Sequence, residues 1–277
     1  MRTCLNTATT RGKPLDDDIR LCGEVGFEAI EIDTRKLDEF AEAGGTIADL
    51  SGLLTESGVE CAGMMAFALK PFSDQEEELE RTRRYAPVCR DLGGRLLLAY
   101  IAEQPEPGMS HEEAVERAAW AAESYAETAH EFGLKVALEP IGGRDFMGGP
   151  DDALEVVEAA GHPALGIMVD TFHYYKSGIA PERVAQIDPD QILIVHINDA
   201  ENLPTESLED ANRLYPGAGV LPLHGYLDAL DQAGYDGFLS VEIFREEYWL
   251  DDHDSIVRNA KTALDGVLEE LRERRQE

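Results

Sequence analysis

Apolar residues along this chain recur with two periods that alternate from end to end. Short β-rich runs fall at 2–8, 28–33, 59–67, 95–101, 134–140, 165–173, 191–199 and 238–244. Between them, residues 15–25, 46–57, 74–91, 111–132, 151–160, 181–186, 222–233 and 252–273 carry apolar side chains at three-to-four spacing, which predicts amphipathic helices. Ser73, Ser110 and Pro150 read as helix starts, because each stands just before an acidic first turn. Gly26, Gly58, Gly133 and Gly234 read as helix ends. Strand and helix alternate eight times without a linker or a low-complexity segment. The pattern predicts an α/β fold, a single (β/α)8 TIM barrel over residues 1–277. An open doubly wound sheet would show a Gly-rich phosphate turn after its first strand, whereas ATTRGKPLDDD carries none. One segment breaks the rhythm. Residues 199–221 form a long polar excursion with Pro and Gly, placed to cover the mouth of a barrel.

The last four strand runs stop on polar groups of one chemical kind. LKVALEP delivers Glu139, LGIMVDTFH delivers Asp170, QILIVHIND delivers His196 and FLSVEIF delivers Glu242. A carboxylate that follows a buried apolar run is costly unless it is paired with a cation. A buried arginine would serve one such group, and a hydrogen-bonded core position would serve one histidine. Four in succession at the C-terminal rim point instead to a single divalent-metal site. Three carboxylates and an imidazole suit Mn²⁺, Mg²⁺, Co²⁺ or Zn²⁺. Such an ion polarises a carbonyl, and a rim carboxylate then moves the proton on the adjacent carbon. Glu139 and Glu242 are the candidates for that proton transfer, with Asp170 and His196 as further ligands. His173, in a D-x-x-H pair with Asp170, is the candidate to hold a substrate oxygen. Arg213 in the long excursion is a second, able to clamp a rim carboxylate instead. Asn6 and Phe67 point toward the same mouth if the strand register holds. Asp199 is read as a group behind the ligands or a loop anchor, and Arg245 as a group near the ligands that binds a substrate oxygen or clamps a rim carboxylate, or else as a surface arginine.

Composition narrows the class further. The chain has 277 residues, 56 acidic against 24 basic, and a net charge of −32. Acidic runs such as Asp16–Asp18 and Glu76–Glu78 read as a solvated surface suited to high salt, a halophilic trait. The same acidity opposes a nucleic-acid partner. No apolar run reaches the ~20 residues of a membrane span, and MRTCLNTATTRGKP lacks the features of a signal peptide, so a cytoplasmic protein is expected. Cys4, Cys22, Cys61 and Cys89 match no zinc or redox spacing and are expected as buried thiols.

Taken together, TCLNTATT, GFEAIEI, VALEP, VDTFH, VHINDAE, RLYPGAG and GFLSVEIF resemble the sugar phosphate isomerase/epimerase family of xylose isomerase-like barrels over essentially the whole chain. The resemblance implies one metal held by Glu139, Asp170, His196 and Glu242, with the two glutamates as acid/base groups and His173 on the substrate. It allows a homo-oligomer. The runs Asn6–Thr10, Asp170–His173, Arg213–Gly219 and Ser240–Tyr248 recur together in members that isomerise inosose (2-keto-myo-inositol). The implied partner is thus a small sugar or cyclic polyol ketone, converted through an enediolate. Thr7 departs from an acidic residue in those members, and the loop PIGGRDFMGG also differs; both bear on substrate identity. Ketose 3-epimerase and hydroxypyruvate isomerase activities are the alternatives within the family. An endonuclease IV-like nuclease would need extra histidines on the third and fourth strands, which VECAGMMAF and RLLLAYI lack. A non-catalytic sugar-binding barrel would not need the ligand set.

Overall fold

The computed structural model describes residues 1–276, Ala66 by its backbone alone. All eight strands are present: β1 (Arg2–Asn6), β2 (Ala29–Asp33), β3 (Glu60–Leu69), β4 (Leu96–Ile101), β5 (Lys135–Glu139), β6 (Leu165–Asp170), β7 (Ile192–Ile197) and β8 (Phe238–Val241). They pair in parallel, each with the next in the chain, and β8 closes on β1 with Arg2 opposite Phe238 and Leu5 opposite Val241.

Successive strand residues face opposite sides, so each strand feeds two cores. Cys4, Ala29, Ala62, Leu98, Ala137, Met168 and Ile194 pack together inside the barrel. Leu5, Ile30, Leu97, Val136, Ile167, Val195 and Leu239 join the larger layer beneath the helices. The next inward position after Ala137, Met168, Ile194 and Ser240 is Glu139, Asp170, His196 and Glu242 respectively. The two-residue period therefore lifts these four groups into one layer at the C-terminal rim.

The helices predicted from periodicity are found within about two residues of their expected ends, with three differences. Thr34–Glu42 is helical, capped by Asp33, whose carboxylate accepts from Arg35 N at 2.9 Å; its polar sequence hid it. The run 165–173 is not all strand. Asp170 ends β6 and caps a short helix, Thr171–Lys176, by accepting from Phe172 N at 2.8 Å and His173 N at 3.1 Å. A further short helix covers Glu246–Trp249. Ser73 is not a cap: the helix Glu76–Asp91 follows Gln75, and the Ser73 hydroxyl bonds to Glu103. Ser110 does cap its helix, accepting from Glu113 N at 3.2 Å.

The 199–221 excursion is ordered. Asp199–Ala200 pairs antiparallel with Arg213–Leu214. Asp199 Oδ1 accepts from Ala200 N and Leu221 N, both at 2.8 Å, and so ties the two ends together. Gly219 lies so close to Ala200 and Asp199 that a side chain there would collide with both. Asp18 departs from the solvated-surface reading of its acidic run. It is fully buried, taking Lys36 Nζ at 2.5 Å and His253 Nε2 at 2.7 Å. The four cysteines are buried free thiols, as expected. Among the described residues, no helix is long and apolar enough to cross a membrane.

Candidate metal centre

The rim layer brings its four groups together. One donor atom from each of Glu139, Asp170, His196 and Glu242 lies within 4.8 Å of the others. Sheet register accounts for this closeness, since His196 stands opposite Asp170 on one side and Ser240 on the other. Asp170, His196 and Glu242 are at most 3% exposed, while the Glu139 side chain remains 16% open to the cavity.

His196 shows what the cluster requires. Its Nε2 lies 2.9 Å from Glu31 Oε2, and a carboxylate can only accept, so Nε2 carries a proton. Its Nδ1 lies 3.1 Å from Glu242 Oε2, 3.8 Å from Asp170 Oδ2 and 3.9 Å from Glu139 Oε1. None of these is aligned as a hydrogen bond, and Nδ1 is a buried polar atom without a partner. A neutral ring would aim its lone pair at three carboxylates. Positive charge at that point removes the conflict, whether a proton on the ring or a cation between the four groups. Burial disfavours the imidazolium, but Glu242 and Glu31 outweigh it and raise the His196 pKa well above the ordinary value. The donor set fits a divalent ion of the Mn²⁺, Mg²⁺, Co²⁺ or Zn²⁺ type.

The carboxylates feel the same crowding. Burial, reinforced by Glu242, raises the Glu139 carboxyl well above its usual range. Burial acts likewise on Asp170, but Arg213, His173 and His196 overcome it and hold that carboxyl low. Arg213 comes from the excursion and is 1% exposed. Its Nη1 donates to Asp170 Oδ2 at 2.7 Å and Glu242 Oε2 at 3.1 Å. Its Nη2 donates to Asp210 Oδ1 at 3.1 Å and His173 Nε2 at 3.2 Å. The clamp on rim carboxylates, one of the two roles read for Arg213, is thus present. A guanidinium cannot accept, so the His173 proton sits on Nδ1, which has no protein partner. Burial lowers the His173 pKa to about 4, so the ring is neutral at ordinary pH.

Three expected site residues lie elsewhere. Asn6 is buried behind the cluster: its Nδ2 donates to Glu31 Oε1 at 3.0 Å and Glu242 Oε1 at 3.1 Å. Phe67 faces outward, its ring 6.1 Å from Tyr85 beneath the helix Glu76–Asp91. The β3–β4 register shifts between Met64 and Phe67, and Met65 takes the place on the cavity wall instead. Arg245 makes no hydrogen bond to the cluster. It braces the excursion, with Nη1 2.7 Å from Glu201 Oε1. Asp199 is the loop anchor already described.

Glu31 is the site residue that the sequence reading passed over. It is fully buried on β2 and is held by His196, Asn6 and, at 2.8 Å, the Ser240 hydroxyl. The available signal was a glutamate inside the apolar run AIEID, out of place in a strand buried on both faces.

Above the cluster opens a cavity of about 310 Å³. Met65, Leu98, Ile141 and Phe244 give it apolar walls, and Tyr100, Arg35 and Arg144 line it with Glu139, His196, Glu242 and His173. The cavity is at the small end of the range for small-molecule sites.

Comparison with known proteins agrees with this geometry. The inosose isomerase of Bacillus velezensis is 29% identical over 282 residues, covering 97% of this chain and 97% of that protein. The 3-dehydroshikimate dehydratase of Pseudomonas putida is 25% identical over 258 residues, which is 90% of this chain and 39% of that protein. The crystal structure of IOLI protein with a bound zinc atom superposes with a TM-score of 0.91 at 27% identity, over 98% of this chain and 99% of that one. Residues 19–271 match the family described as xylose isomerase-like TIM barrel, and the chain belongs to that family.

Proposed function

We propose that this chain is a divalent-metal-dependent isomerase of cyclic α-hydroxyketones, with inosose (2-keto-myo-inositol) as substrate. The observation that carries the reaction class is the convergence of Glu139, Asp170, His196 and Glu242 around the unpartnered Nδ1 of His196. Near-full-length similarity to inosose isomerases supports the substrate. The four groups would hold the ion, which supplies polarisation of the substrate carbonyl and offsets charge as the α-proton leaves.

The remaining chemistry belongs to the chain. Glu139, the most open of the carboxylates, removes the proton α to the carbonyl to give an enediolate. Glu242 takes the adjacent hydroxyl proton and delivers it to the former carbonyl carbon, and Glu139 returns its proton to the former carbonyl oxygen, which restores both carboxylates. Arg213 holds Asp170 and Glu242 in place. His173 is neutral and offers Nδ1–H to a substrate oxygen. Met65, Leu98 and Phe244 exclude water from the reacting carbons.

The test is NMR of 2-keto-myo-inositol in D₂O with the protein, Mn²⁺ and molar KCl. A 1-keto isomer should appear, carry deuterium and vanish with EDTA. No conversion sinks the inosose assignment and sends the search to ketohexoses and hydroxypyruvate. We propose further that the −32 surface is adapted to high salt. The melting temperature should then rise between millimolar and molar KCl, and equal melting in both would end that reading.

A further inference from the structure

We propose that Glu31 is the positioning residue of the metal centre, a buried carboxylate that sets which nitrogen of His196 faces the ion and how tightly the ion is held. The inference rests on the metal reading above and goes beyond it, since Glu31 donates no atom to the cluster.

The geometry is specific. Glu31 is 0% exposed and sits against the Nε2 side of the His196 ring. Both its oxygens approach His196 Nε2, at 2.9 and 3.1 Å. Ser240 Oγ donates to Oε2 at 2.8 Å, and Asn6 Nδ2 donates to Oε1 at 3.0 Å. A carboxylate this deep is expensive unless its lone pairs are filled, and three donors from β1, β7 and β8 fill them. Three supports leave it one orientation. A group that can only accept forces the ring proton onto Nε2, so Nδ1 alone is available to the cluster. The same Asn6 amide reaches Glu242 Oε1 at 3.1 Å, so one side chain fixes Glu31 and a candidate ligand together. Partners of this kind behind a metal-binding imidazole fix its orientation and raise its basicity as a ligand.

The test is isothermal titration of the metal-free protein with Mn²⁺ or Zn²⁺ alone. Glu31→Gln keeps the size and one carbonyl acceptor but removes the charge and places an amide donor where Glu31 can only accept. Its metal affinity should fall roughly 10- to 100-fold, while its metal-free melting temperature stays near wild type. Imidazole ¹⁵N shifts should show His196 losing its uniform Nε2–H form, a change that a merely structural role would not produce. Ser240→Ala, which removes one hydrogen bond to Glu31, should lower affinity in the same direction by less, and it carries the test if Glu31→Gln does not fold. Unchanged affinity in the variants, against a wild type that binds, overturns the inference and leaves the metal reading standing. A wild type that binds neither ion overturns both.

Discussion

The two halves of the barrel rim are built from different materials. β5–β8 deliver the cluster: Glu139, Asp170, His196 and Glu242. β1–β4 deliver none of it. Met65 and Leu98 form apolar wall, Tyr100 lines the cavity, and Asn6 and Glu31 reach across behind the cluster. The contrast teaches how one closed sheet separates two tasks. Converging charge needs only adjacent strands in register, and the opposite strands remain free to shape what enters and to brace what is already there.

The largest break in that contrast is expected from Glu242→Gln. Turnover should fall about 100- to 10,000-fold and metal affinity should drop, with the thermal melt of the barrel retained. A variant with wild-type rates would mean that the β5–β8 half is not the reacting half. Arg213→Met comes next. It leaves Asp170 and Glu242 buried without their cation, so the metal-free protein should lose about 3–5 kcal/mol in urea melts. Divalent metal should restore part of that loss, because it binds only the folded cluster.

A pH series sharpens the picture. His173 is held neutral in the fold, its pKa lowered to about 4 by burial, against an ordinary value of 6.5. As pH falls the unfolded chain takes up this proton first, so the contribution is whole above about 6.5 and disappears progressively toward 4. Urea melts of metal-free protein should lose stability over that interval, and His173→Asn should lose less. The mildest change is expected from Leu98→Ala in the opposite half: KM for the ketone should rise roughly tenfold with metal affinity untouched. A loss of metal binding there would erase the division between the halves.

Much of this architecture was legible in the residue order. The eight strands announced themselves because both of their faces are apolar, and the four residues of the rim cluster because each interrupts such a run at its end. Glu31 interrupts a run too, but one that also holds Asp33, and nothing local says that its partner lies 165 positions away on His196. Phe67 was misplaced because an irregularity in β3 exchanges inside for outside, a shift that strand periodicity cannot register. The helix Thr34–Glu42 was missed because among its nine residues Leu37 alone is a buried apolar side chain. Asp170 carried two signals at once, the end of a strand and the cap of a helix, and the aromatic and β-branched residues after it favoured the wrong continuation.

Arg213 reaches the cluster from outside the repeating strand–helix units, on an excursion rooted by Asp199 and braced by Arg245. The barrel and the device that neutralises its rim are thus separate modules of one chain. Substitution between residues 201 and 212 would move the arginine relative to a fixed ring of carboxylates, so selection can retune affinity or substrate choice there without disturbing a single barrel strand.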